Sequence, residues 1–298
     1  MTFTASVASD GRYFLGEGAS WDADRQLLRW VDIDAGLVLE GALDEGMLSG
    51  TSVVRRSDTT VSASARARDG GLLLAEGRSL THVSHDGSTV ARYPIIPDQV
   101  ASRLNDGAVD PAGRFLVGSL ATDGRAGEER LWRLEGDGTV TVIDHDLTIS
   151  NGLGWSPDGG TLYSIDSVPG TIWQRTYDPD GAGVGRRHLL TTITDGEPDG
   201  MTVDAEGTLW IAVWGRGEVV AVSPDGSVEE SVTVAAPLTT SCAFAGPELS
   251  TLVITTAAKA VPGFPSVPPA GALFAAAVGK RGRAPTTWNP TSVPEREV

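Results

Sequence analysis

Four oxygen-bearing side chains, each with a glycine one or two positions away, stand at related places along the sequence. Each lies ten or eleven residues before the first apolar residue that follows a recurrent tight turn. The four are Glu17, Asn105, Asn151 and Asp199. Carboxylate and amide oxygens are hard donors of the kind that Ca²⁺, Mg²⁺ and Mn²⁺ prefer. Their shared position predicts a divalent-cation site, and the two remaining repeats offer Ser62 and the Ser241–Cys242 pair there.

A plainer interpretation of these residues is that Asn-Gly and Asp-Gly are ordinary turn pairs. The shared position weighs against it, because the four residues lie at the opposite end of the strand from the turn of the repeat itself. The neighbouring glycines also allow the backbone to approach a ligand closely. We therefore keep both interpretations and favour the site.

Other motifs for catalysis or metal binding are missing. The sequence has no G-x-S-x-G, no H-E-x-x-H and no P-loop. The segment from Asp178 to Gly181 resembles the start of a calcium loop, but that loop needs a final Glu where Leu189 stands. The histidines have no metal-ligand spacing, and we expect them on the surface or in strands: His82, His85, His145 and His188.

A strand–turn–strand unit recurs six times along the chain. One copy reads Trp21-Asp-Ala-Asp-Arg-Gln-Leu-Leu and another reads Val203-Asp-Ala-Glu-Gly-Thr-Leu-Trp. The first apolar residues after the turns are Leu27, Leu72, Phe115, Leu162, Leu209 and Leu252. Their spacing of 43 to 47 residues is typical of propeller blades. We predict an all-β, six-bladed β-propeller, and so even a period disfavours the alternative, a β-sandwich with fortuitous turns.

The propeller would position the candidate residues. In such a fold the innermost strand of each blade lines the central channel, and all innermost strands run in the same direction. Residues at the starts of these strands therefore gather at one mouth of the channel. No linker or composition break interrupts the pattern, so we predict one domain over residues 1–298, with a Pro-rich and irregular tail from about Ala284.

Charge and composition exclude several classes of partner. Lys and Arg total 23 against 39 Asp and Glu, a formal net charge of −16. Nucleic acid and anionic membrane surfaces need basic patches, so neither is expected. The lone cysteine, Cys242, excludes a disulfide framework within one chain. We find no signal peptide and no apolar run of membrane-spanning length, and we expect a cytoplasmic monomer or homodimer.

Several segments together resemble the SMP-30, gluconolactonase and luciferin-regenerating enzyme family, which includes regucalcin. They run in the family's order over nearly the whole chain: Leu15–Asp22, Arg103–Gly107, Ser150–Gly159, Pro198–Trp210 and Thr240–Gly246. The resemblance implies a six-bladed propeller with one catalytic divalent cation, which could be Ca²⁺, Zn²⁺, Mg²⁺ or Mn²⁺. It assigns Glu17, Asn151 and Asp199 as metal ligands, and Arg103 and Asn105 as residues that bind substrate hydroxyls.

One position departs from the regucalcin branch. A substrate-binding Glu follows Gly-Thr-Met-Ala there, whereas this sequence reads Gly118-Ser-Leu-Ala-Thr122. Thr122 therefore takes the place of the Glu and is a candidate substrate contact. It offers one hydroxyl, which can donate as well as accept.

The resemblance implies metal-dependent hydrolysis of a sugar lactone, such as gluconolactone, to its open acid. Asp199 is the candidate general base, because it is a carboxylate beside the cation. A second hypothesis is a non-catalytic calcium- or sugar-binding regulator that uses the same mouth. A third is a paraoxonase-like or strictosidine-synthase-like enzyme. Paraoxonase chemistry would want a histidine at the mouth, and none stands at the candidate positions.

Overall fold

The computed structural model describes residues 1–290, and every helix or strand assigned in that part of the chain is a β-strand. The strands form six sheets, each built mainly from strands that follow one another along the chain. The predicted six-bladed β-propeller is confirmed. Within the described residues there is no helix with the length and apolar composition needed to cross a membrane.

Each blade begins with its innermost strand. Blade 1 contains β3 (Gly16–Asp22), β4 (Leu27–Asp32), β5 (Leu37–Asp44) and β6 (Met47–Arg56). Blade 2 contains β7 (Val61–Arg66), β8 (Leu72–Glu76), β9 (Ser79–Val83) and β10 (Thr89–Pro94). Blade 3 contains β11 (Ser102–Val109), β12 (Phe115–Ala121), β13 (Glu129–Leu134) and β14 (Val140–Leu147).

The other blades follow the same plan, but the N-terminus supplies a fifth strand to blade 5 and the fourth strand to blade 6. Blade 4 contains β15 (Ser150–Trp155), β16 (Thr161–Asp166), β17 (Thr171–Thr176) and β18 (His188–Thr192). Blade 5 contains β19 (Glu197–Val203), β20 (Leu209–Trp214), β21 (Glu218–Val222), β22 (Val228–Thr233) and β1 (Thr2–Thr4). Blade 6 contains β23 (Thr239–Ala245), β24 (Thr251–Thr256), β25 (Phe274–Ala277) and β2 (Ser6–Val7).

The hydrophobic core lies between neighbouring blades. The innermost strands contact one another in sequence around the channel, and β23 contacts β3 to complete the ring. Trp210 of blade 5 meets Phe244 of blade 6 edge to face, with ring centroids 6.0 Å apart, in a buried cluster shared by the two blades. A sheet that is apolar on both faces needs such partners on both sides, and a closed ring supplies them.

The recurrent Asp-x-x-Gly turn joins the first and second strands in blades 3 and 5. In blade 3, Asp110 Oδ1 accepts N–H groups from Ala112 at 3.0 Å and Arg114 at 2.8 Å. Gly113 has φ +85°, a conformation that side chains other than glycine rarely adopt. These local bonds explain why the turn repeats in the sequence.

A β-bulge interrupts the pairing of the first two strands in all six blades. The register shifts near the start of each innermost strand. The shifts fall between Glu17 and Ser20, Val61 and Ala63, Leu104 and Gly107, Asn151 and Leu153, Pro198 and Met201, and Thr239 and Ser241. Bulges re-aim side chains that would otherwise follow strict alternation. The sequence analysis did not predict them.

Residues 279–290, which we call the C-terminal strap, cross the far end of the channel, where the innermost strands end. This segment includes the start of the tail that the sequence predicts from Ala284, and the rest of that tail lies outside the described residues. The strap bonds to five blades, through Gly282 to Leu249, Arg281 to Ala205, Arg283 to Ser156, Asn289 to Gly113 and Trp288 to Arg66. It also lines a channel cavity of about 390 Å³.

We expect Trp288→Ala to loosen the strap and destabilise the protein. Trp288 is fully buried and meets His82 edge to face, with ring centroids 4.9 Å apart. Truncating a buried Trp removes about 3 kcal/mol or more from the free energy of unfolding, measured by urea denaturation. Val228→Ala, an exposed change in β22, should cost no more than about 0.5 kcal/mol. Equal midpoints for Trp288→Ala and the unmodified protein would contradict this role.

Candidate functional site

The four oxygen-bearing residues that the sequence singled out lie near the starts of four innermost strands. Glu17 is in β3, Asn105 in β11, Asn151 in β15 and Asp199 in β19. Asn105 Nδ2 donates to Asn151 Oδ1 at 3.1 Å. The carboxyl groups of Glu17 and Asp199 lie within hydrogen-bonding reach of each other. The structure thus brings them together at one mouth of the channel, which we call the site mouth.

A third carboxylate, Asp106, joins Glu17 and Asp199 to form what we call the acidic cluster. Burial raises the pKa of Glu17 to about 8, with a further contribution from the charge of Asp106. Burial raises the pKa of Asp106 to about 6. Burial and then the charge of Glu17 raise the pKa of Asp199 well above its usual range. Charges that are poorly solvated and close together favour a bound cation.

The sequence analysis missed Asp106, although a signal for it was present. Asp106 follows Asn105 directly and precedes a glycine, so its spacing resembles that of the chosen residues. Strict strand alternation would send neighbouring side chains to opposite faces. The bulge between Leu104 and Gly107 breaks that alternation. Asp106 also lines the channel cavity, which Glu17, Asn151 and Asp199 do not.

Arg103 supplies the positive charge beside the acidic cluster. Its Nη1 donates to Asn105 Oδ1 and to Leu104 O, both at 2.8 Å. Burial lowers the pKa of Arg103, while the charges of Asp34, Glu17 and Asp199 raise it. The guanidinium group has five N–H donors. It therefore keeps donors for a ligand after these two contacts.

Ser167 is a second residue that the sequence analysis missed, and it positions two candidate ligands. Asn151 Nδ2 donates to Ser167 Oγ at 2.9 Å, and Ser167 Oγ donates to Pro198 O at 2.6 Å. Pro198 directly precedes Asp199. Ser167 follows β16, away from the innermost strands, so no spacing in the sequence points to it.

The two weaker candidate positions of the sequence have structural contacts. Ser62 Oγ donates to Asn105 O at 2.8 Å and so holds the backbone of the neighbouring blade. The Cys242 thiol donates to Trp210 O at 3.2 Å, and burial raises its pKa. Ser241 lies against Gly200, where a Cβ would meet its Oγ at 2.3 Å. A glycine beside Asp199 is therefore required for β19 to approach β23.

Thr122 lies at the rim of the site mouth. It is exposed, one residue beyond β12, and its main-chain N–H donates to Ala101 O at 2.8 Å. Ala101 directly precedes β11, the strand that carries Arg103 and Asn105. The structure thus places Thr122 close to the start of that strand, with its side chain at the surface.

The donor set at the site mouth fits a hard divalent cation in its chemistry. Glu17 and Asp199 offer carboxylate oxygens and Asn151 offers an amide oxygen, all from rigid strands. Among residues 1–290 no group of three or more His, Cys, Asp and Glu is arranged to hold a metal ion. The three carboxylates of the acidic cluster are therefore not arranged as a metal site by themselves, and the predicted ligand set needs the amide oxygen of Asn151 as its third ligand.

The fold and the site define the chain as a six-bladed β-propeller with an acidic mouth. Comparisons with known proteins define its family. Residues 15–258 match the profile described as the SMP-30/Gluconolactonase/LRE-like region. The pentonolactonase XacC of Haloferax volcanii is 36% identical over 264 residues, covering 86% of each protein. A regucalcin of Xenopus laevis is 35% identical over 254 residues, covering 82% of this chain and 84% of that protein.

Solved structures agree with the sequence comparisons. A regucalcin from Agrobacterium tumefaciens, described as a calcium-binding protein, has a TM-score of 0.89 at 26% identity. The matched region covers 97% of this chain and 98% of that one. The chain belongs to the SMP-30/gluconolactonase/LRE-like family, so the resemblance found in the sequence is confirmed.

We expect Ser167→Ala to weaken cation binding without unfolding the protein, because it releases the Asn151 amide. Loss of a residue that orients a metal ligand costs about tenfold or more in affinity. Calorimetric titration with Ca²⁺ measures it. Ser223→Ala removes another buried serine, in the turn after β21, and is the matched control. An unchanged Ca²⁺ affinity in Ser167→Ala would exclude the positioning role.

Proposed function

We propose that the protein hydrolyses a sugar lactone at the site mouth with the help of one divalent cation. The observation that carries the proposal is the acidic cluster, held beside Asn151 and Arg103 at one end of the channel. The name of XacC, a pentonolactonase, supports a lactone as substrate. The name and description of the Agrobacterium regucalcin support a divalent cation.

In the proposed reaction a water oxygen attacks the lactone carbonyl carbon, and the ring C–O bond then breaks to give the open acid. Glu17, Asn151 and Asp199 would hold the cation, which when bound polarises the carbonyl and makes water more acidic. Asp199 is the proposed general base that takes the proton of the attacking water and then gives it to the departing ring oxygen, which becomes a hydroxyl. Glu17 would stabilise the cation by its charge. The main-chain N–H of Gly18 donates to Glu17 Oε2 at 2.7 Å and fixes the direction of this carboxylate.

Arg103 and Asn105 are the proposed substrate-binding residues. Their mutual hydrogen bond orients both side chains, and the planar guanidinium can hold two substrate oxygens in fixed directions. Asn105 Nδ2 already donates to Ser150 O at 3.0 Å, so its amide is fixed before a ligand arrives. Thr122, exposed at the rim, would reach a substrate hydroxyl through water.

We expect Asp199→Asn to abolish turnover and weaken cation binding together, because it removes a ligand charge and the proposed base. The expected loss in kcat is about 10³-fold, measured by pH-stat over gluconolactone, galactonolactone, xylonolactone and arabinonolactone. Glu17→Gln should also weaken the binding of the cation, because it removes the charge of one proposed ligand. Asp180→Asn, an exposed change in the loop after β17, is the control.

Chelation tests the cation directly, and each divalent metal is then added back. Unchanged turnover after exhaustive chelation would count against a metal mechanism. Cation binding without turnover on any lactone would support the non-catalytic calcium- or sugar-binding function instead.

We expect Arg103→Ala to raise KM for a sugar lactone by about tenfold or more, the loss typical of a charged hydrogen bond to a substrate. The Ca²⁺ affinity of this variant should not fall, because removing a positive charge does not weaken the binding of a cation nearby. Steady-state kinetics and calorimetry on the same preparation separate the two effects. A lower kcat with an unchanged KM would contradict a role for Arg103 in substrate binding.

A further inference from the structure

An ion pair at the site mouth has no part in the proposed hydrolysis. Lys259 Nζ lies 3.0 Å from Asp34 Oδ2. Asp34 is in the turn between β4 and β5, and Lys259 is in the long loop between β24 and β25. Lys259 also lies over the ring of Phe14, 5.7 Å from its centroid. Blades 1 and 6 therefore meet at this point of the rim.

The backbone fixes Asp34 close to the acidic cluster. Gly16 and Asp32 are directly paired between β3 and β4, so the turn that carries Asp34 begins beside Glu17. Asp32 accepts the main-chain N–H groups of Phe14 at 2.9 Å and Leu15 at 3.0 Å, which ties the incoming chain to the same turn. Asp34 thus stands on a rigid part of the rim.

The charge of Asp34 also reaches the Arg103 guanidinium. Among the carboxylates that act on the Arg103 guanidinium, Asp34 has the largest effect on its pKa, ahead of Glu17 and Asp199. Arg103 comes from blade 3 and Asp34 from the turn after β4 of blade 1, so the two residues stand on either side of blade 2. Asp34 is thus placed at the same end of the channel as Glu17 by the pairing of β3 with β4, and its charge acts on the proposed substrate-binding arginine.

The ion pair is accessible to a ligand and contributes little to folding. The Asp34 side chain is 29% exposed and that of Lys259 is 39% exposed. Ion pairs of this exposure contribute about 0–1 kcal/mol to the stability of a fold. The Lys259 ammonium and the Asp34 carboxylate can therefore also form hydrogen bonds with a ligand at the edge of the site.

We propose that Asp34 and Lys259 form a polyol subsite that binds neighbouring hydroxyls of the sugar lactone, away from its carbonyl. The carboxylate accepts a hydrogen bond from one hydroxyl, and the ammonium donates to the oxygen of the next. Two adjacent hydroxyls of a sugar match this arrangement, whereas a lactone without hydroxyls does not. The inference rests on the proposed lactone hydrolysis and names the part of the substrate that gives specificity.

The subsite also supplies a charged acceptor that Thr122 cannot. Thr122 offers one hydroxyl at the surface and no charge. Asp34 brings a carboxylate to the same mouth from blade 1, and its charge acts on Arg103. Substrate preference in this chain would then depend on the turn after β4 rather than on the segment after β12.

The test compares two lactones with the same ring, glucono-δ-lactone and δ-valerolactone, which lacks hydroxyls. We expect Asp34→Asn and Lys259→Met to lower kcat/KM for gluconolactone about tenfold more than for valerolactone. The loss should appear in KM. Glu206→Gln and Lys280→Met break an ion pair of 2.6 Å at the far end of the channel and should leave the ratio unchanged. Equal losses on both lactones, or none, would overturn the subsite.

A binding measurement keeps the subsite testable independently of turnover. Glucitol carries adjacent hydroxyls but no carbonyl, and its affinity is measured by calorimetry on the Ca²⁺-loaded protein. We expect Asp34→Asn to lower the affinity for glucitol about tenfold. If the unmodified protein turns over no lactone, the proposed function fails, and the glucitol result alone decides the subsite. If turnover is present but neither ratio nor glucitol affinity responds, only the subsite fails.

Discussion

Glu17, Asp106 and Asp199 are held together in a poorly solvated space, and their mutual repulsion is the constraint that the surrounding structure opposes. Burial raises the pKa of all three carboxyl groups, the charge of Asp106 adds to this for Glu17, and the charges of Glu17 and Asp106 add to it for Asp199. Such groups would separate if they were carried on loops. Here they are carried on innermost strands of blades 1, 3 and 5, which the closed ring prevents from moving apart.

The bulges are the local device that makes this arrangement possible. A regular strand would turn alternate side chains into the core between blades, where a carboxylate has no partner. At each bulge the pairing of the first two strands shifts in register. Polar groups can then face the channel, while the strands remain hydrogen-bonded on either side of the bulge. Ser167 and Ser62 then bond to the irregular backbone, so the bulged segments are held by side chains as well as by their neighbours.

The sequence predicts the propeller and the place of the site because both follow from one repeat. Equal spacing of the turns implies equal blades, and equal spacing of Glu17 and Asp199 from those turns implies a common mouth. Local information of this kind does not extend to contacts between distant segments. Ser167 reaches Pro198 across the boundary of two blades, and Lys259 reaches Asp34 from the other end of the chain.

Asp106 shows a different limit, because the spacing from the turn selects Asn105 and strict alternation would send the next side chain to the other face. A bulge changes the face to which a residue points, and no residue pattern in a single sequence announces one here. The role of Thr122 was assigned from its place in a motif. Its exposure at the rim is set by how β12 ends, which the motif does not contain.

The C-terminal strap has a consequence for the order in which the molecule can be assembled. Blade 6 takes its outer strand from β2, and blades 2 to 6 are joined across the far end by residues near the end of the described chain. During synthesis an emerging chain can form individual blades, since their strands are sequential neighbours. The ring cannot close until β23 to β25 have emerged, and its far end cannot be sealed until Trp288 has left the ribosome. The ring that holds blades 1, 3 and 5 in place therefore closes only after most of the described chain has been made.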